Sequence, residues 1–139
     1  HNCTKLQNIP LLNTSNVLTF SGMFYSTALT EIPNIDFSNG TNFSNMFSNC
    51  FFIRLINNLN LPKGTNFSNM FENCDFLQTV DTIYCPSSGA NFSSMFYNCD
   101  NLITVNNIQS YSGTNYSSMF SNCQRLIFFE VSTSLGTNF

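Results

Sequence analysis

The run Gly-Thr-Asn-Phe-Ser-Asn-Met-Phe-Ser-Asn-Cys from Gly40 to Cys50 returns, slightly altered, from Gly64 to Cys74, Gly89 to Cys99 and Gly113 to Cys123. Self-similarity at such a period marks stacked repeats, in which each unit is too small to bury its own apolar face and must bury it on its neighbours. A diverged copy passes through Phe20, Met23 and Phe24 with Thr27 in place of Cys, so the Met-Phe pair recurs at 23, 46, 70, 95 and 119. Each copy is followed by two apolar positions three residues apart: Leu6/Ile9, Leu29/Ile32, Ile53/Ile56, Leu77/Val80, Leu102/Val105 and Leu126/Phe129. The chain, residues 1–139, therefore reads as a single solenoid segment of about six repeats of 23–25 residues.

The two halves of a repeat have different apolar periods. Phe43, Met46, Phe47 and Cys50 fall at i, i+3, i+4 and i+7, as do their counterparts at Phe67, Phe92 and Tyr116. That spacing predicts one apolar face of a short helix. Asn42, Asn66, Asn91 and Asn115 precede it as residues of the type that cap a helix start. After the cysteine, stretches such as Leu102-Ile103-Thr104-Val105 predict a short strand. A two-turn helix beside a four-residue strand cannot fold alone, whereas stacked coils share a continuous core. At roughly 4.8 Å per strand, six coils would form a rod of about 29 Å.

Gly136-Thr137-Asn138-Phe139 reads as the start of a further repeat and His1-Asn2-Cys3 as the tail of one, so both ends cut a repeat in the middle. Two expectations follow: a window of a longer repeat protein, or units stacking head to tail into a fibre. The first is preferred, because an open edge invites aggregation where nothing continues it.

The register Thr-Asn-Phe-Ser-x-Met-Phe-x-Asn-Cys-x-x-Leu-x-x-Val resembles the leucine-rich-repeat relatives of bacterial surface-protein-A-type adhesins. It resembles more closely the Mycoplasma-type lipoprotein repeat of unknown function. The resemblance covers essentially the whole chain. It implies a leucine-rich-repeat-like solenoid, with one short strand and one short helix in each of about six coils, displayed on a surface for adhesion or recognition.

Cys3, Cys50, Cys74, Cys99 and Cys123 share one repeat position, and Cys85 falls outside it. A ladder of buried core thiols is the expected arrangement, since free cysteine packs as a small apolar group. Vertical disulfides in an oxidising compartment are the alternative. Metal binding is disfavoured because no Cys-x-x-Cys pair or histidine cluster accompanies the thiols. Asn42, Asn66, Asn91 and Asn115 also head Asn-x-Ser sequons, as Asn2, Asn13 and Asn39 head further Asn-x-Ser/Thr ones, so turn formation competes with N-glycosylation. Coils about 5 Å apart would crowd a full row of glycans.

Only 8% of residues are charged and the net charge is −3, which leaves no basic surplus for nucleic acid. No apolar run reaches the roughly 20 residues that cross a bilayer. The single histidine is residue 1 and the acids are scattered, which argues against acid–base catalysis, and no cofactor motif is present. Asp75 and Asp100 share the position after the cysteine, and a solvated surface is preferred there to a cation site.

The two residues between the apolar strand anchors vary from coil to coil, and one face of a short strand points outward. This predicts a binding face at Arg54, Gln78, Thr79, Ile103, Thr104 and Phe128. The Phe51-Phe52 and Phe128-Phe129 pairs mark contacts with a partner or a next subunit, because one member of each cannot reach the core. The chain is thus expected to be a non-enzymatic recognition or adhesion module on a cell or virion surface, outside the cell, that contacts a protein or glycan. The alternative is an extracellular filament subunit that self-associates end to end.

Overall fold

The computed structural model describes residues 3–132, so the readings made on His1, Asn2 and Gly136–Phe139 fall outside the described residues. Among those described there is no helix, and the chain winds as a β-solenoid. This corrects the expected helix-plus-strand coil. Each Phe-x-x-Met-Phe-x-x-Cys stretch is instead a pair of consecutive four-residue turns. In the turn Phe43–Met46 the Met46 N–H donates to the Phe43 carbonyl at 3.2 Å, and in Phe47–Cys50 the Cys50 N–H donates to Phe47 at 3.1 Å.

The third residue of each turn is left-handed: Asn45 and Asn49 have φ of 55° and 61°, Asn69 and Asn73 both 55°, Ser94 and Asn98 54° and 58°, and Ser118 and Asn122 56° and 63°. A right-handed helix cannot include a left-handed residue at every fourth position, and asparagine with its short polar side chain is among the few non-glycine types that adopt that conformation. In the first copy Gly22 and Ser26 occupy these two places. The amides between turn closures point to the next coil, where Asn45, Phe47 and Asn49 donate to the carbonyls of Ser68, Met70 and Glu72. The i, i+3, i+4, i+7 spacing thus arises because the first and fourth residues of each four-residue turn face inward.

The strands are β1 (Leu55–Ile56), β2 (Leu59–Asn60), β3 (Thr79–Tyr84), β4 (Ser88–Asn91), β5 (Thr104–Gln109), β6 (Ser112–Asn115) and β7 (Phe128–Ser132). All pairs are parallel, in the order β1-β3-β5-β7 with β2 beside β3, and β4 pairs with β6 in a second small sheet. Strand pairing therefore spans about 3 turns of solenoid, which also corrects the expectation of six strand-bearing coils. The two preceding coils carry Pro10 and Pro33 one residue after Ile9 and Ile32, where β1 is followed by Asn57. Proline has no N–H to give a ladder, so pairing starts only in the first coil without one there.

Identical positions stack into columns. Phe43, Phe67, Phe92 and Tyr116 follow one another at ring-centroid distances of 5.8, 5.1 and 5.2 Å, and Phe47, Phe71, Phe96 and Phe120 at 5.5, 5.5 and 5.6 Å, all nearly parallel. Burying one such side chain contributes about 1.5–3 kcal/mol, and each aromatic pair adds about 0.5–1.5 kcal/mol. Gly64 is fixed by the same columns: a Cβ there would meet the ring of Phe67, three residues on.

Candidate binding face

Residues of the predicted face lie side by side on the outer surface where the parallel sheet begins, Arg54, Gln78 and Ile103 immediately preceding β1, β3 and β5. The backbone ladder Gln78 N–H to Arg54, Ile103 N–H to Gln78 and Ile127 N–H to Ile103 sets Arg54, Gln78, Ile103 and Ile127 in one row. The strand register sets Leu55, Thr79, Thr104 and Phe128 in the adjacent row. Arg54, Gln78 and Phe128 are exposed, and Thr79, Ile103 and Thr104 are half-buried. Large apolar groups stand out at the same side: Leu55 is 44% exposed, Ile127 81% and Phe128 48%. Next to them Phe52 stacks on Phe76 at 6.1 Å, so these rings turn their edges to solvent.

Along the coils' turn side the third residues of the second turns form an amide ladder that the sequence reading did not anticipate. Asn73 donates to Asn49 at 3.0 Å, Asn98 to Asn73 at 2.9 Å and Asn122 to Asn98 at 2.7 Å. The ladder lines a shallow groove with Phe51, Asp75, Asp100 and Gln124. Partial burial, and then the charge of Asp100, raise the Asp75 carboxyl above its ordinary value. Asn recurring immediately before the cysteine, at Asn49, Asn73, Asn98 and Asn122, was the signal that could have revealed the ladder.

The sequon asparagines Asn42, Asn66, Asn91 and Asn115 each accept, through Oδ1, the N–H two residues on, from Ser44, Ser68, Ser93 and Ser117. They also carry coil-to-coil bridges, with Asn115 paired to Asn91. Their cap-forming chemistry is therefore used in Asx turns between the strand segment and the first turn.

All six cysteines are free thiols. Cys50, Cys74 and Cys99 are buried and Cys123 is half-buried, whereas Cys3 is exposed. The thiols of the first four donate to the carbonyls of Phe24, Phe47, Phe71 and Phe96 in the preceding coil, at 3.0, 3.3, 3.1 and 3.0 Å. Burial pushes Cys74 and Cys99 well above the ordinary thiol value, Cys85 to about 12 and Cys123 to about 11, which keeps these thiols neutral and unreactive at physiological pH. Cys85 sits in a different column, buried next in register to Leu61 and Ser110. No group of three His, Cys, Asp or Glu side chains suited to a metal ion occurs among the described residues, and no described helix is long and apolar enough to cross a membrane.

A cleft of about 420 Å³ opens where the sheet begins, between residues 31–38 and 55–60. Sequence reasoning missed it, although Pro33 and the short Thr27-to-Leu29 spacing both mark the loss of strand register there.

No curated protein and no solved structure matches the chain. A family model described as a Mycoplasma protein of unknown function, DUF285, matches residues 1–102 and again residues 26–129. The two matches are displaced by about one coil, as expected where every coil offers the next the same columns. The leucine-rich-repeat likeness does not hold, because its coils require the helix that the tandem turns replace. Matched over most of its length, the chain belongs to the Mycoplasma repeat family DUF285.

Proposed function

We propose that the chain is a non-enzymatic recognition or adhesion module displayed outside the cell, on a cell or virion surface, and that the outer face of the parallel sheet contacts a protein or glycan ligand. The observation that carries this reading is the pair of rows on that face, Arg54-Gln78-Ile103-Ile127 and Leu55-Thr79-Thr104-Phe128. It combines a cation, hydrogen-bonding groups and large apolar side chains that a soluble surface does not otherwise gather in one strip. A rigid sheet with side chains at fixed spacing suits extended recognition, as solenoid faces commonly do.

The test is binding of the intact chain to a glycan array and to host cells, compared with Arg54→Ala, Gln78→Ala and Phe128→Ser. The expected result is a loss of about tenfold or more for the best binder, corresponding to truncation of a contact worth about 1.4 kcal/mol, with unchanged denaturation midpoints. Full retention of every interaction by all three variants would refute the placement.

A second reading, a filament of solenoids stacked end to end, is favoured by one feature: each coil presents the same columns in the same register, so a coil face is complementary to another copy's. It predicts fibres in electron micrographs of concentrated material. Monomers alone at high concentration would remove it.

A further inference from the structure

Strand pairing starts at β1 and β2, and the coil before them contributes no strand. Among the described residues no backbone hydrogen bond joins 31–38 to 55–60. A parallel strand sends the N–H and C=O groups of alternate residues to opposite sides. β1 and β2 use one side on β3 and hold the other toward the cleft, a free sheet edge inside the stack rather than at its tip. The facing segment cannot close the gap as a regular strand, since Pro33 lacks the N–H such pairing needs.

The cleft volume, about 420 Å³, is of the size that holds ligands. Its apolar lining comes from Ile32, Pro33, Ile35, Phe37, Leu55 and Leu59, and both of its ionisable lining groups, Glu31 and Asp36, are acidic. We infer that this cleft accepts an extended, basic peptide strand of about four to six residues, adding to the free edge of β1 and β2 with apolar side chains on the lining and a cation beside Glu31 and Asp36. The length follows from the edge, since each strand residue advances about 3.3 Å. Hydrogen bonds from the Ser38 N–H and hydroxyl hold the Asp36 carboxyl below its ordinary value, so the charge persists at neutral pH. This site is separate from the proposed outer face, which it meets only at Leu55, and it stands whether or not that face binds.

The experiment is amide hydrogen exchange on the intact chain with an octapeptide alternating valine and lysine. Its glutamate-for-lysine counterpart and a version N-methylated at alternate residues are the controls. The lysine peptide is expected to slow exchange within 31–38 and 55–60 and to leave β5 unchanged. N-methylation on the pairing edge abolishes the effect, and the glutamate peptide binds at least tenfold more weakly. The double variant Glu31→Gln, Asp36→Asn weakens lysine-peptide binding by about two- to fivefold per carboxylate; the asparagine keeps an acceptor for Ser38. No protection in 31–38 and 55–60, protection confined to the outer face, equal binding of the glutamate peptide, or binding indifferent to N-methylation would each overturn the inference.

Discussion

Replacing Asn73 by alanine and, separately, by glycine measures the tandem-turn coil directly. Asn73 has φ of 55°, and its carboxamide donates to Asn49 at 3.0 Å and accepts from Asn98 at 2.9 Å. Both variants lose the two ladder bonds, at about 0.5–1.5 kcal/mol each and toward the low end for a half-exposed ladder, so about 1–2 kcal/mol together. Alanine also carries its Cβ into the left-handed region, at about 1–2 kcal/mol, which glycine avoids. Asn73→Gly should therefore cost about 1–2 kcal/mol and Asn73→Ala about 2–4 kcal/mol. In a helix the order reverses, because glycine is about 1 kcal/mol worse than alanine in a helix interior. Urea denaturation at equal slope reads the difference as a shift in midpoint. An alanine variant as stable as the glycine variant, or more so, would refute the turn assignment.

Other perturbations probe different layers. Phe71→Ala, which removes a ring stacked on both sides, should cost about 3–5 kcal/mol in the same assay, against under about 1 kcal/mol for the exposed Phe52→Ala. Gly64→Ala drives a Cβ onto the Phe67 ring and should cost about 1–3 kcal/mol, read from the melting temperature. In thiol titration at pH 8, Cys3 should react promptly and Cys50, Cys74, Cys85 and Cys99 only after unfolding; prompt modification of Cys74 or Cys99 would contradict their burial. The buried thiols also set an alkaline limit. Their folded values lie above the ordinary 9.0, so the stability they contribute is complete below about pH 9 and is lost as pH climbs toward the folded values, about 12 for Cys85. The urea midpoint should fall steeply above pH 9, and a flat profile would exclude this linkage.

The stacking, its period and the inward columns were legible from the sequence because one residue type per position repeats in register. Phe43, Phe67 and Phe92 could face only one another. The helix was not legible from that pattern, because one helical face and two successive four-residue turns place apolar residues at the same intervals. What separates them is the residue between: Asn45 and Asn49 stand where a turn needs a left-handed conformation, while a helix interior would favour Ala, Leu or Glu there. The outward turn of Thr79 and Thr104 was legible because strand alternation needs only the buried anchors Val80 and Val105, one residue on, to orient them. The amide ladder and the cleft were hidden for different reasons. The ladder's asparagines, one residue before each cysteine, fall on the polar side of the expected helix until the turns are known, and the cleft arises from a local loss of pairing at Pro33 that the repeat average conceals.

The measurement that tests the coil most directly is hydrogen-bond scalar coupling in an isotope-labelled sample. It detects which carbonyl each amide donates to. The solenoid predicts correlations from the Phe47 amide to the Met70 carbonyl and from the Asn45 amide to the Ser68 carbonyl, both one coil away. A correlation from the Phe47 amide to the Phe43 carbonyl, the bond of a helix, would contradict the account.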